Sequence, residues 1–170
     1  RGQLQYDAPV AEYWPEFGQG GKELVTVRHV LTHSAGLHRM RTLVDHAQQM
    51  LDWTYMVTAL ARAEPAYEPG TRHGYHALTF GWLAGEIVRR VSGKGVDELF
   101  AERITRPLGV EAWIGTPESE LSRVAQLYVA SPPPDPLPPP PDVDPELASL
   151  NERAMTLGSA MSPDVAQENA

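Results

Sequence analysis

Residues 69–82 read PGTRHGYHALTFGW. Pro69-Gly70-Thr71 is a turn signal, because Pro presets one backbone angle and Gly accepts angles that other residues resist. The pattern then turns helical at once. Leu78, Trp82, Gly85, Val88 and Val91 recur at spacings of three and four, which predicts a helix over 77–91 with one apolar face. The turn thus delivers Tyr75, with His73 and His76 beside it, to the mouth of a buried helix. Tyr75 has two readings at this point. It is an aromatic packing residue with its hydroxyl at the rim, or a general acid–base group tuned by Arg72, His73 and His76 nearby.

Working outward, the same periodicity predicts a mainly α chain. Thr26 caps a short helix over 27–33 with Val27, Val30 and Leu31 on one face, ended by Gly36. A helix is expected over 41–51. After the N-cap Asp52 comes another over 53–63, carrying Trp53, Met56, Val57, Leu60 and Ala61, with Pro65 as its stop. Gly81 and Gly85 lie one turn apart, so a second backbone is expected close by. "SGKG" at 92–95 ends the long helix, and Val96, Leu99, Phe100 and Ile104 form the next stripe over 96–104. Trp113 and Ile114 suggest a very short strand, and Thr116-Pro117 starts a helix over 117–126. Near the N-terminus, Val10, Tyr13 and Trp14 share one face of a short helix. "SPPPDPLPPPPDVDP" at 131–145 reads as an extended surface loop. The chain therefore divides into a helical region over 1–130, this proline loop, and a continuation of the same domain over 146–170.

Bulk properties narrow the function. The 170 residues are enough for a real core. A net charge of −8 argues against nucleic acid as a partner. Without cysteine there is neither a disulfide framework nor a thiolate metal site. No apolar run approaches a membrane span, and no secretory leader pattern is visible. Localisation stays open. Twelve Arg against two Lys, with abundant Ala, Pro and Val, suggests a GC-rich genome.

Two other constellations carry possible chemistry. His29 and His33 stand four apart, a spacing by which one helix face presents two imidazoles to a metal. No third ligand is evident, so structural histidines are the expectation. "THSAG" at 32–36 resembles a Gly-x-Ser-x-Gly elbow around Ser34, but Thr32 stands where the first Gly belongs and a helix rather than a strand precedes it.

Three blocks together resemble the serine β-lactamase and penicillin-binding-protein superfamily, and within it the class C β-lactamase-like carboxylesterases called family VIII esterases. "LQYDAPVAEYWPEF" at 4–17 is similar to the family's Leu-Asp-x-Pro-Val-x-x-Tyr-x-Pro-x-Phe segment. "VTVRHVLTHSAGL" at 25–37 is similar to its Thr-Val-Arg-His-Leu-Leu-Thr-His-Thr-Ser-Gly-Leu block. The run from Tyr67 to Val110 is similar to its Pro-Gly-Thr turn, Tyr motif and following helices. The resemblance implies that this chain is the helical subdomain of an α/β (α+β) hydrolase, with little or no central sheet.

It further implies that Tyr75 opens the family's Tyr-x-Asn motif and relays a proton to or from the nucleophilic Ser. His76 and Ala77 would then lie at the substrate. Ala77 replaces the motif's Asn, which tilts the reading toward esters and away from lactams. The family's Ser-x-x-Lys motif is not in these residues, since no Ser or Thr here has a Lys three residues later. The resemblance places it upstream of Arg1, and the third motif beyond Ala170. The expectation is a fragment, inactive alone, of an enzyme that acts on a small-molecule ester with no cofactor and no metal. Two alternatives stand beside it: a non-catalytic binding fragment or degenerate homologue, with the proline loop offered to a partner, and a β-lactamase or DD-peptidase on the same scaffold.

Overall fold

The structure is a computed structural model that describes residues 2–126. The proline loop at 131–145 and the continuation of the domain over 146–170 lie outside the described residues. Within them the chain is helical and carries no strand. One isolated antiparallel bridge joins Pro9 to Thr26. It is flanked by bonds from Val10 N–H to the Val25 carbonyl (2.8 Å) and from Val27 N–H to the Ala8 carbonyl (3.1 Å). Trp113 and Ile114 form a bend, not the short strand that their apolar character suggests.

Helix α1, Val27–Leu31, starts where Thr26 predicts. The Thr26 hydroxyl accepts the His29 amide at 3.2 Å, and His29 Nδ1 accepts the Thr26 amide at 3.3 Å. An imidazole thus fills the place that Glu or Gln takes in a usual capping box. The helix ends at Leu31, two residues before the expected limit. His33 makes the reversal with φ of 58°, so the stop comes before Gly36.

Helix α2, Trp53–Arg62, is capped by Asp52, whose carboxylate accepts the Tyr55 amide at 3.0 Å. Met56, Val57, Leu60 and Ala61 face the core, as the spacing predicts, but Trp53, the first residue of that stripe, is 39% exposed because its indole reaches across to Glu86. Its last turn is closed by Lys22. This buried ammonium donates to the Gln19 carbonyl at 2.8 Å and to the Ala63 carbonyl. A cation among the free carbonyls of a helix C-terminus is favourable.

Helix α3, Thr79–Ser92, ends at Gly93, whose φ of 73° is the left-handed cap conformation. Its buried face is Thr79, Leu83, Glu86 and Ile87, with Gly85. That face is rotated from the predicted stripe: Leu78, Trp82 and Val91 are only partly buried. The rotation follows from Glu86, a charged residue that turns inward because its partners come with it. Its carboxylate accepts Trp53 Nε1 (2.9 Å), Arg89 Nε and Nη2 (2.7 and 2.6 Å) and Arg90 Nε (2.7 Å). Gly85 meets a side chain, not a backbone. A Cβ there would lie 2.6 Å from Trp53 Cη2, while one at Gly81 would meet nothing within 4 Å.

The segment expected as a helix over 41–51 is two 3-10 turns, Met40–Thr42 and Ala47–Leu51. Between them His46 is extended, and Gln49 Oε1 accepts the Asp45 and His46 amides at 2.7 and 3.4 Å. Those amides are spent on a side chain, so the helical ladder does not continue through them. Near the N-terminus, a 3-10 turn at Val10–Glu12 buries Val10 and Trp14. After Gly93 come α4, Val96–Phe100, a π-helical turn at Ala101–Thr105, and α5, Arg106–Leu108. None of the predicted stripe residues there is fully buried, and Ile104 is exposed. The expected helix over 117–126 is a 3-10 turn at Glu118–Arg123.

The core is one cluster that joins the N-terminal turns, α1, α2 and α3 through Val10, Trp14, Phe17, Val30, Leu60 and Leu83. Fully burying a side chain of this size contributes about 1.5–3 kcal/mol each.

Candidate active site

Two loops lie side by side, 32–38 after α1 and 65–76 before α3. Backbone bonds tie them at three levels: Ala66 N–H to the Gly36 carbonyl (2.8 Å), Gly70 N–H to the Ser34 carbonyl (2.9 Å), and Gly74 N–H to the His33 carbonyl (3.0 Å). The Pro69-Gly70-Thr71 turn is closed by the Thr71 hydroxyl on the Glu68 carbonyl at 2.6 Å. Gly74 is required by packing: a Cβ there would sit 2.7 Å from His38 Nδ1 and 3.0 Å from the Tyr67 hydroxyl.

This pairing separates the residues that the sequence brings together. Tyr75 stands at the surface with 55% of its area exposed. His73 is exposed and Ala77 is half-buried. His76 is turned inward with 0% exposure. Its Nε2 accepts the Leu37 amide at 3.0 Å, and its Nδ1 has no regular hydrogen-bond partner. Burial pushes the His76 pKa down to about 4, the Gly74 backbone offsets part of this, and His38 and His33 add to the lowering. The side chain of His76 is thus a neutral interior strut, and the surface at this point belongs to Tyr75.

Behind Tyr75 lies a group of rings. His33 packs edge-on to Tyr75 with centroids 4.9 Å apart, and lies 5.6 Å from His76 and 5.1 Å from Phe80. His38 is buried, stacked on Tyr67 at 5.8 Å and edge-on to His76 at 5.9 Å. Burial lowers the pKa of both His33 and His38, with smaller contributions from His73 and Arg39 respectively. Burial also raises that of Tyr67, against its bonds to the Gly36 and Gly74 backbone. The imidazoles are therefore held neutral: His33 and His76 as hydrogen-bond acceptors, and His38 as a packing group whose ring nitrogens have no regular hydrogen-bond partner.

His29 and His33 do not share a helix face. His33 lies beyond α1 in a left-handed conformation, and each imidazole commits Nδ1 to a backbone amide, His29 to Thr26 and His33 to His76 (3.3 Å each). Ser34 is no elbow nucleophile. It follows a helix, is buried, and its hydroxyl contacts the Thr32 hydroxyl (3.0 Å) and the His29 carbonyl (3.3 Å). The sequence reading considered His33 only as a metal ligand and missed its contact with Tyr75. It also passed over His38 and Tyr67. An open groove lined by Arg39, Leu43, Tyr55 and Arg62 includes none of Tyr75, His76 and Ala77.

Comparison with known proteins gives a consistent answer. The family model described as Beta-lactamase matches residues 1–167. The esterase/β-lactamase LipL of Mycobacterium tuberculosis is 43% identical over 131 residues, which is 76% of this chain and 30% of LipL. A family VIII carboxylesterase crystal structure superposes with a TM-score of 0.71 at 44% identity, covering 75% of this chain and 35% of that one. EstA from Arthrobacter nitroguajacolicus superposes with a TM-score of 0.76 at 35% identity, covering 99% of this chain and 43% of EstA. The chain thus spans about a third of the length of LipL and the carboxylesterase. The ordered blocks at 4–17, 25–37 and 67–110 and the match over residues 1–167 lead to one conclusion: this chain belongs to the β-lactamase family, within the serine β-lactamase and penicillin-binding-protein superfamily that includes esterases.

Proposed function

We propose that this chain forms part of a serine carboxylesterase that works through an acyl-serine intermediate, with Tyr75 as its proton-carrying residue. The observation that carries the reading is the placement of Tyr75. Its ring is exposed while the backbone on both sides is bonded to the neighbouring loop. A large aromatic side chain held in water by a pinned loop gains little from burial, whereas a fixed phenol suits a group that must meet a reacting atom. The esterase names among the relatives support the choice of substrate, and Ala77 in place of an amide side chain leans the same way.

The nucleophilic Ser and its Lys are supplied, in this reading, by sequence outside residues 1–170. The Ser oxygen bonds to the ester carbonyl carbon, and its proton passes to the Lys and Tyr75 pair. Backbone amides hold the oxyanion. The C–O bond to the alcohol then breaks, and the leaving oxygen takes a proton from Tyr75. Water then attacks the acyl carbon, its proton passes through the same pair to the Ser oxygen as the acyl C–O bond to Ser breaks, and the acid is released. Tyr75 acts here as both acid and base, as a two-step acyl transfer requires.

The test is pre-steady-state turnover of a chromogenic short-chain ester by the full-length hydrolase that contains this chain. A burst of alcohol equivalent to enzyme, followed by slower steady turnover, is the expected result. LipL is named both esterase and β-lactamase, so a cephalosporin is assayed beside the ester. Repeated lactam turnover faster than ester turnover would place the protein on the lactamase branch.

A further inference from the structure

We propose that His33 is a positioning residue that clamps Tyr75 into its working orientation. This deepens the esterase reading and rests on it. Three contacts from one residue surround Tyr75. The His33 carbonyl accepts the Gly74 amide at 3.0 Å, one residue before Tyr75. The His33 Nδ1 accepts the His76 amide at 3.3 Å, one residue after it. The imidazole ring meets the Tyr75 ring edge-on at 4.9 Å and 64°. The 73–74 and 75–76 peptide groups, one on each side of Tyr75, are thereby fixed to the same residue, and the ring has a wall on one side.

The backbone of His33 shows that this placement has a cost. Among the described residues it is the only non-glycine with positive φ, at 58°. An L residue in the left-handed region is disfavoured, and such strain persists where the surroundings hold it. Glycine would remove the strain, but it has neither an acceptor for the His76 amide nor a ring for Tyr75. Asparagine tolerates the left-handed region and carries a side-chain oxygen at short reach. Histidine combines acceptor and ring. The acceptor must be unprotonated, because a backbone N–H points at it.

The geometry also predicts a tautomer. With Nδ1 accepting from His76, the proton of the neutral imidazole resides on Nε2. ¹⁵N NMR of the wild-type protein should show His33 with an unprotonated Nδ1 and a protonated Nε2 at neutral pH. A protonated Nδ1 would remove the clamp from the account without any variant being made.

Kinetics provides the second arm, in the full-length hydrolase with a chromogenic ester. His33→Gly relaxes φ but deletes acceptor and ring; it should lower kcat about tenfold or more. His33→Asn restores an acceptor and should recover most of that loss. In a Tyr75→Phe background, His33→Gly should cause little further loss, because the residue it positions no longer carries a proton. Equal losses in both backgrounds, or wild-type kcat in His33→Gly while Tyr75→Phe is impaired, would overturn the clamp alone. Wild-type turnover in Tyr75→Phe would overturn the role of Tyr75 and the clamp with it.

Discussion

An imidazole sealed from water at position 76 has a price that pH can reveal. His76 is held neutral inside, its pKa pushed down to about 4, whereas in the unfolded chain it protonates near 6.5. Between those values the unfolded state binds the extra proton and the folded state does not, so stability falls as pH drops through that window. The linkage is worth on the order of 3 kcal/mol. Glu86 sets a second, lower window. Burial raises its pKa, but the bonds from Arg89, Arg90 and Trp53 outweigh this and bring it to about 2, below the usual 4.5. Its contribution is complete above about 4.5 and is lost as pH falls toward 2. Urea unfolding measured from pH 7 to pH 3 should therefore decline in two overlapping limbs. His76→Gln should shrink the upper limb, to which His33 and His38 also contribute through their lowered pKa, and Glu86→Gln the lower one. An unchanged upper limb in His76→Gln would show that the imidazole is not buried as described. None of this was legible in sequence. Tyr75, His76 and Ala77 are adjacent letters, and only the pairing of two loops decides which one faces water. The left-handed turn at His33 was equally hidden, since the sequence marks positive φ by Gly or Asn and here shows neither.

Among the elements, the capped helices were the readable ones. Thr26 and Asp52 cap α1 and α2 as their side chains predict, and α2 buries the face that its spacing gives apart from Trp53. The face of α3 was misread because a Glu counts as outward by polarity, yet Glu86 is drawn in by Arg89, Arg90 and Trp53. The helix expected over 41–51 failed because Gln49 competes for the amides that a helix needs. The contact of Gly85 with Trp53 gives the test at this scale. Gly→Ala inside a helix usually gains about 1 kcal/mol. At Gly85 the new methyl would sit 2.6 Å from a ring whose Nε1 is tied to Glu86. Overpacking of this kind costs about 1–3 kcal/mol, so Gly85→Ala should be no more stable than wild type and is expected to be less so by thermal unfolding. Gly81→Ala, on open space, is the control and should stabilise. Stabilisation by both would show that Trp53 is not fixed against α3.

For the whole molecule, the three sequence blocks identified the superfamily while local periodicity identified only helices. The described residues provide a helical scaffold that holds the exposed Tyr75 in a loop bonded on both sides of it. The most direct measurement is ester turnover and thermal unfolding on the same Tyr75→Phe sample of the full-length hydrolase. Phe keeps the ring and its contact with His33 and deletes only the hydroxyl. The account predicts a fall in kcat of about 10²–10⁴-fold with an unfolding midpoint close to wild type. Near-normal turnover, with at most about 1 kcal/mol of stability lost for a single hydrogen bond, would contradict it and leave Tyr75 a surface packing residue.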